Sequence, residues 1–313
     1  MPHPPLRLSE VFGFAPLSKT LREVSLTLRG DPLTPKSRFG LSSLRLLKPG
    51  LALSTWMRRA RADRLVPIYN LFNHTQTDPD LGWSVRVTQA RDFRGKKLTY
   101  DSHNGTDFAV PVGTVVVAAA PGRVARISSE FNRGGLKVLL DHGDTLFTSS
   151  NHLARSLVEH GDMVQRGQPI ALSGASGIDM LSMFPWSTPH VHYNVWHNGK
   201  LVDPFASGNE VSLWQNGNAP VPSAGPLQSD EYITPTQFDE EAIEAAIDAC
   251  IDPVLQRELA DSPEPGVDVL FFYNVYPTRF SRRPDIIRVK HPRRPRLDLP
   301  FRSKDFRGIV FPD

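Results

Sequence analysis

Pro189-His190-Val191-His192-Tyr193-Asn194-Val195-Trp196 is the stretch that decides the fold. Its β-branched and aromatic residues favour an extended strand, and residues two apart in a strand project from the same face. His190 and His192 are therefore expected on one face, close enough to share one metal ion. Working outward, His103 and Asp107 are four residues apart, a spacing that would suit a helix face. Gly105 and the run Val110-Pro111-Val112-Gly113-Thr114-Val115-Val116-Val117 argue instead for a loop entering a strand. The middle of the chain continues as short strands separated by Gly, Pro and Asn turns, which predicts a mainly β, antiparallel fold.

Four histidines and one aspartate stand out on this scaffold: His103 and Asp107 in His-Asn-Gly-Thr-Asp, His152 in Asn-His-Leu, and His190 and His192 in Pro-His-Val-His-Tyr. Imidazole nitrogen and carboxylate oxygen are ordinary Zn2+ ligands, and a catalytic zinc site uses three protein ligands with one position left open. Five candidate groups exceed that need by two, which leaves two for acid/base chemistry. A closed structural zinc site would favour cysteine-rich sets, and the chain has a single cysteine, Cys250.

The ordered pattern His-x-x-x-Asp, a separate His followed by Leu, then His-x-His resembles the lysostaphin-type (LytM-type) zinc metallopeptidases, which cut peptide bonds in bacterial peptidoglycan. The resemblance covers roughly residues 84–206. It includes Gly105, Ala118-Ala119-Ala120-Pro121-Gly122-Arg123-Val124, Gly161-Asp162-x-Val164-x-x-Gly167-Gln168, Gly174-x-Ser176-Gly177 and Val202-Asp203-Pro204. It implies a compact antiparallel β-sheet metallopeptidase core with a groove, His103, Asp107 and His192 as zinc ligands, and His152 and His190 as catalytic partners. One of these two would act as general acid/base and the other would stabilise the transition state. Two features depart from the family's pattern. The link Ile178 to Pro189 is longer and more apolar than expected and is a candidate wall of the groove, and Ser150 replaces the usual aromatic two residues before the middle histidine.

The implied function is a zinc metalloendopeptidase acting on peptidoglycan or another peptide substrate. The alternative is a non-enzymatic zinc-binding module that regulates other cell-wall hydrolases, against which the complete ligand set counts. A biotinyl or lipoyl carrier module, suggested by Gly161 to Gln168, lacks a Met-Lys-Met-like site, and a cupin-like reading of His-x-His lacks a glutamate shortly after His192. The remaining histidines, His3, His74, His142, His160, His197 and His291, read as surface or satisfied core groups. His142 lies in a turn composition, and His197 precedes the hairpin signal Asn198-Gly199.

With 313 residues, 40% of them hydrophobic, the chain can bury a sizeable core, and its 28 prolines argue against long uninterrupted helices. The expected organisation is a helix-containing N-terminal region over 1–82, the zinc peptidase domain over 83–206, a linker or long loop over 207–235, and a small α+β appendage over 236–313. Within these, Leu51 to Val66 reads as an amphipathic helix packed on the catalytic domain. Asp239 to Ile251 reads as a helix that Pro253 ends or bends, with Ile243, Ala246, Ile247, Cys250, Ile251 and Val254 on its apolar side. Val267 to Tyr276 and Ile286 to Val289 read as strand-like.

Charge is uneven. Residues 1–64 carry +8 and residues 277–313 carry +7, so with +3 overall the intervening residues carry −12. The basic ends suit peripheral contact with an anionic surface, although a solvated face explains them as well. No groove-reading motif accompanies the Arg-rich tail, so nucleic acid is not an expected partner. One cysteine excludes an intrachain disulfide. The resemblance implies a cell-envelope or periplasmic location. The N-terminal residues Met1 to Arg7 show no apolar signal segment and no transmembrane span is apparent, which leaves a cytoplasmic location open.

Overall fold

A computed structural model describes residues 4–14, 16–59, 61–75, 77–227 and 234–312. His3 and the part of the expected linker at 228–233 lie outside the described residues. The strands are β1 (Leu65–Asn70), β2 (Thr106–Ala109), β3 (Val115–Val117), β4 (Gly122–Glu130), β5 (Gly135–Asp141), β6 (Leu146–Ser156), β7 (Met163–Val164), β8 (Pro169–Ser173), β9 (His190–His197), β10 (Lys200–Leu201) and β11 (Gly308–Val310). They form one sheet ordered β11-β1-β2-β9-β6-β5-β4-β7, with β10 on β9 and with β8 joining β3 to β6. Every pairing is antiparallel except that of β1 with β11. The sheet is mainly antiparallel, as the turn-punctuated middle of the sequence predicts.

β9 lies between β2 and β6 and is buried from His190 through Trp196. Its two faces have different fates. Val191, Tyr193 and Val195 join Phe108, Trp214 and Phe301 in the larger core. Trp196, on the histidine face, joins Phe147 and Leu139 in a second core built with three helices: α5 (Glu240–Asp248), α6 (Pro253–Ala260) and α7 (Pro265–Val275). One sheet face thus carries His190 and His192 at one end of the strand and seats a helical layer at the other. This registration brings the C-terminal helices to the border of the histidine cluster.

Several local expectations are corrected. Val267 to Tyr276 is not a strand: it forms α7, with Val267, Val269, Leu270, Phe271, Phe272 and Val275 all buried. A helix buried on every side has no polar stripe, so its β-branched and aromatic residues imitate a buried strand. Ile286 to Val289 makes only an isolated bridge, Ile287 with Phe238, among the described residues. The helix expected over Leu51 to Val66 is only the short α3 (Pro49–Trp56), and Leu65 already begins β1. Pro253 opens α6 at its first position, where Asp252 caps it by accepting from the Val254 and Leu255 amides. Ile251 and Val254 are consequently exposed, whereas Cys250 is buried as expected.

At the N-terminal end, α1 (Leu8–Phe12), α2 (Leu17–Arg29) and α3 pack on the sheet rather than standing apart. Trp56 of α3 donates its indole N–H to the Ser187 carbonyl at 3.0 Å and meets Phe184 edge-on, while Phe12 of α1 meets the same ring. These contacts hold the 178–189 link, which begins with α4 (Ile178–Ser182). Much of the basic C-terminal charge is paired internally: Arg279 with Asp252 and Asp31, Arg283 with Asp80, and Arg302 with Asp305. Among the described residues, no helix is long and apolar enough to cross a membrane.

Candidate metal centre

β2 and β9 pair so that Asp107 stands directly opposite His192 and Ala109 opposite His190. His103 enters from the turn before β2. Gly105 permits this approach: a Cβ there would sit 2.6 Å from the Tyr193 carbonyl oxygen and 2.8 Å from His192 Nε2. The result is a compact triad. His103 Nε2 lies 3.0 Å from Asp107 Oδ1, His192 Nδ1 lies 2.7 Å from the same oxygen, and the two imidazole nitrogens are 3.2 Å apart. All three side chains are buried, and their ligand atoms can hold one metal ion.

Neighbouring groups set the protons. Carbonyl oxygens only accept, so His103 Nδ1 donates to Leu71 O at 2.5 Å, leaving a lone pair on Nε2. His192 Nε2 lies 3.2 Å from Asn104 Oδ1, which leaves the lone pair on Nδ1. The orientation of the Asn104 amide follows from its other bonds: its Nδ2 donates to Asn274 Oδ1 at 2.6 Å, and its Oδ1 accepts from Asn194 at 3.1 Å. Asp107 Oδ2 accepts from Asn70 at 2.8 Å, turning Oδ1 toward the nitrogens. Three electron-pair donors therefore point at one place with no proton assigned among them, an arrangement that fits a cation. Burial would raise the Asp107 carboxyl, but the imidazoles of His103, His190 and His192 gathered around it hold it well below the usual range. Burial lowers His192 to about 4, so it is neutral near pH 7.

The other two histidines line the same centre with matching polarity. His190 Nδ1 donates to Thr188 O at 2.8 Å, and its Nε2 lies 3.5 Å from Asp107 Oδ1; burial lowers its pKa. His152 Nδ1 donates to Ser176 O at 2.7 Å. His152 reaches its position by a bulge, because β5 advances two positions from Leu136 to Val138 while β6 covers three, between Ser150 and Leu153. At the bulge His152 takes φ +59°, an uncommon value for a non-glycine residue, which turns its ring toward His190 with centroids 4.7 Å apart. Its Nε2 lies 3.2 Å from Asp179 Oδ2, at the start of α4.

All five histidine and aspartate residues singled out in the sequence come together here. The residues that sequence reading passed over are those that orient them: Asn70, Asn104, Asn194 and Asn274, with Asp179 beside His152. Asn104 and Asn194 flank site residues, a signal available in principle, whereas Asn274 is 170 positions from its partner. The other histidines behave as satisfied groups where described. His142 is fully buried, bonded to Pro121 O and Thr148 Oγ1, with its pKa lowered by burial to about 3. His74 pairs with Asp203, and His160 with Glu264.

Residues 101–204 match Peptidase family M23. The chain carries an M23 peptidase domain. Over 103 residues it is 40% identical to an uncharacterized metalloprotease of Haemophilus influenzae, covering 33% of this chain and 20% of that protein. Over 101 residues it is 39% identical to the peptidoglycan DD-endopeptidase ShyA of Vibrio cholerae, covering 32% of this chain and 22% of that one. Among solved structures, the catalytic domain of the antimicrobial peptidase lysostaphin from Staphylococcus simulans is 29% identical, with 33% of this chain and 75% of that chain covered and a TM-score of 0.28. The chain spans about a fifth of the length of these two curated relatives. The M23 match ends at residue 204, so α5 to α7 and their Asn274 contact lie outside it.

Proposed function

We propose that this chain is a zinc metalloendopeptidase that hydrolyses peptide bonds in peptidoglycan cross-links. The observation that carries the proposal is the convergence of His103 Nε2, Asp107 Oδ1 and His192 Nδ1, each fixed from behind so that its lone pair faces the others. Two imidazoles and one carboxylate suit a borderline-soft ion such as Zn2+ better than Mg2+ or Ca2+, which favour oxygen ligands. Zinc bound there supplies Lewis acidity, lowering the pKa of water toward about 7 and polarising a carbonyl.

The protein's own groups do the rest. His190, kept neutral by burial, accepts the proton of the attacking water at Nε2 and passes it to the leaving amine. With Asp179 beside its Nε2, His152 in its imidazolium form carries a second N–H and donates it to the oxygen that gains charge. Asn70, Asn104 and the Leu71 carbonyl keep the triad from rotating. Similarity to peptidoglycan DD-endopeptidases supports the substrate class.

The test is digestion of purified sacculi by the full chain, with mass analysis of the released fragments, with and without a chelator. Zinc-dependent release of cross-link fragments is expected. Intact sacculi together with cleavage of a protein substrate would move the function to another peptide, and retained zinc with no cleavage at all would favour the non-enzymatic module.

A further inference from the structure

Beside the centre, two cavities meet at Trp83, Asn104 and Arg133; one reaches His152 and His192, and the other reaches His103. Three cations line them, and two are committed. Lys137 pairs with Glu130 at 2.5 Å, and Arg293 donates to the Asp203 and Val211 carbonyls beside the Asp203 and Glu210 carboxylates. Arg133 differs. Its Nη1 donates to its neighbour's carbonyl, Asn132 O, at 3.0 Å, and its guanidinium lies 5.2 Å from the centroid of Trp83. Among the described residues no carboxylate pairs with it. Asp179 acts on it only through space and makes its ion-pair contact with His152.

The turn that presents Arg133 is held from three sides. Glu23 of α2 accepts from the Phe131 and Asn132 amides, Tyr276 beyond α7 donates its hydroxyl to Asn132 Oδ1 at 3.1 Å, and Gly134 O accepts the His152 amide at 2.7 Å. The backbone of this arginine is thus tied to the backbone of a proposed catalytic histidine. Arg133 is half-buried between the two cavities, and burial pushes its guanidinium pKa down with no paired anion to raise it. A guanidinium has five N–H donors and is suited to bidentate carboxylate binding, and a desolvated pair of this kind is strong.

Resting on the peptidase reading above, we propose that Arg133 binds a free carboxylate of the substrate next to the scissile bond, and so selects acidic stem-peptide cross-links over neutral glycine bridges. Trp83 forms the wall that keeps the guanidinium in plane, and the N- and C-terminal segments build the receptor by fixing its turn. Arg133 is a specificity residue: it contacts substrate without taking part in proton transfer.

The experiment compares the full zinc-loaded chain with its Arg133→Gln and Arg133→Lys variants on three probes: a synthetic cross-linked stem-peptide dimer with free carboxylates, the same dimer amidated, and pentaglycine. On the free-acid dimer, Arg133→Gln is expected to lower kcat/KM by roughly 10- to 100-fold, mainly through KM, as for loss of a hydrogen bond to a charged group. On the amidated dimer wild type and variant should agree within about twofold, and Arg133→Lys should recover part of the loss. An equal loss on both dimers, or wild-type preference for pentaglycine, overturns the proposal. To separate it from the peptidase reading, binding of the two dimers is also measured by calorimetry with the His152→Ala chain, with and without Arg133→Gln. Tighter binding of the free-acid dimer that requires Arg133 supports the receptor even if no bond is cut, and equal binding of both dimers refutes it.

Discussion

β9 and α7 are both rich in buried β-branched and aromatic residues and meet in one core through Trp196, yet only one was readable in the sequence. β9 alternates buried histidine and asparagine with Val191, Tyr193 and Val195, so a period of two is visible and the strand declares which residues share a face. α7 is buried all round, and Val267, Val269, Leu270, Phe271 and Phe272 carry no period to distinguish helix from strand. The difference has a functional counterpart. β9 supplies His190 and His192 directly, whereas α7 reaches the centre through Asn274 and Asn104. If the strand carries the chemistry and the helix positions it, damage to the strand side should abolish function, and damage to the helix side should grade it.

The sharpest break lies at Asp107. Asp107→Asn removes the one anion among the three donors, and metal analysis of the purified variant should show zinc lost, with turnover below detection. His190→Ala and His152→Ala should instead retain zinc while turnover falls roughly 10²- to 10⁴-fold, the range for loss of a positioned acid/base group. Zinc lost from the His190→Ala protein but kept in His192→Ala would exchange their roles.

The sheet side should also dominate acid sensitivity. His142 has its pKa lowered to about 3 in the fold, against about 6.5 when unfolded, so the unfolded chain takes up a proton that the folded chain refuses. Its neutral form therefore supports stability above pH 6.5, and that support declines as pH falls from 6.5 toward 3, by about 4 to 5 kcal/mol in all. Denaturant unfolding at a series of pH values checks this, and His142→Gln should flatten the slope in that window.

On the helix side, Phe271→Ala empties a fully buried aromatic site and should cost about 3 to 5 kcal/mol of unfolding free energy by denaturant titration. Zinc stoichiometry at saturating metal should be unchanged. Asn274→Ala is the finest probe. It frees the Asn104 amide behind His192, and competition with a chelator should show zinc affinity reduced by about 10- to 100-fold, the usual effect of losing a partner behind a ligand. An unchanged affinity would confine α7 to packing.

The ordered motif His103, Asp107, His152, His190 and His192 was legible because strand alternation and glycine turns are local. His190 and His192 needed only β geometry to share a face, and Asn198-Gly199 forms the β9–β10 hairpin, with both residues at positive φ. Strand pairing was less accessible. That β1 and β11, 243 positions apart at Leu65 and Gly308, lie side by side in the same sheet as β2 and β9 has no local signal. The bulge that turns His152 inward likewise depends on how β5, β6 and β8 register against one another.

The sequence by itself determined the donor set and its β scaffold, because residue chemistry and the two-residue strand period are properties of neighbours along the chain. Only the tertiary structure decided which nitrogen of each imidazole faces the centre, since the proton on the other is claimed by Leu71, Ser176 or Thr188 carbonyls or by Asn104. It alone also brought Glu23, Tyr276 and Asn274 from the two ends of the chain to the groove. Hydrogen bonds and charge act through space over a few ångströms, and the 108 to 170 residues of chain that these three contacts span leave no trace in local pattern.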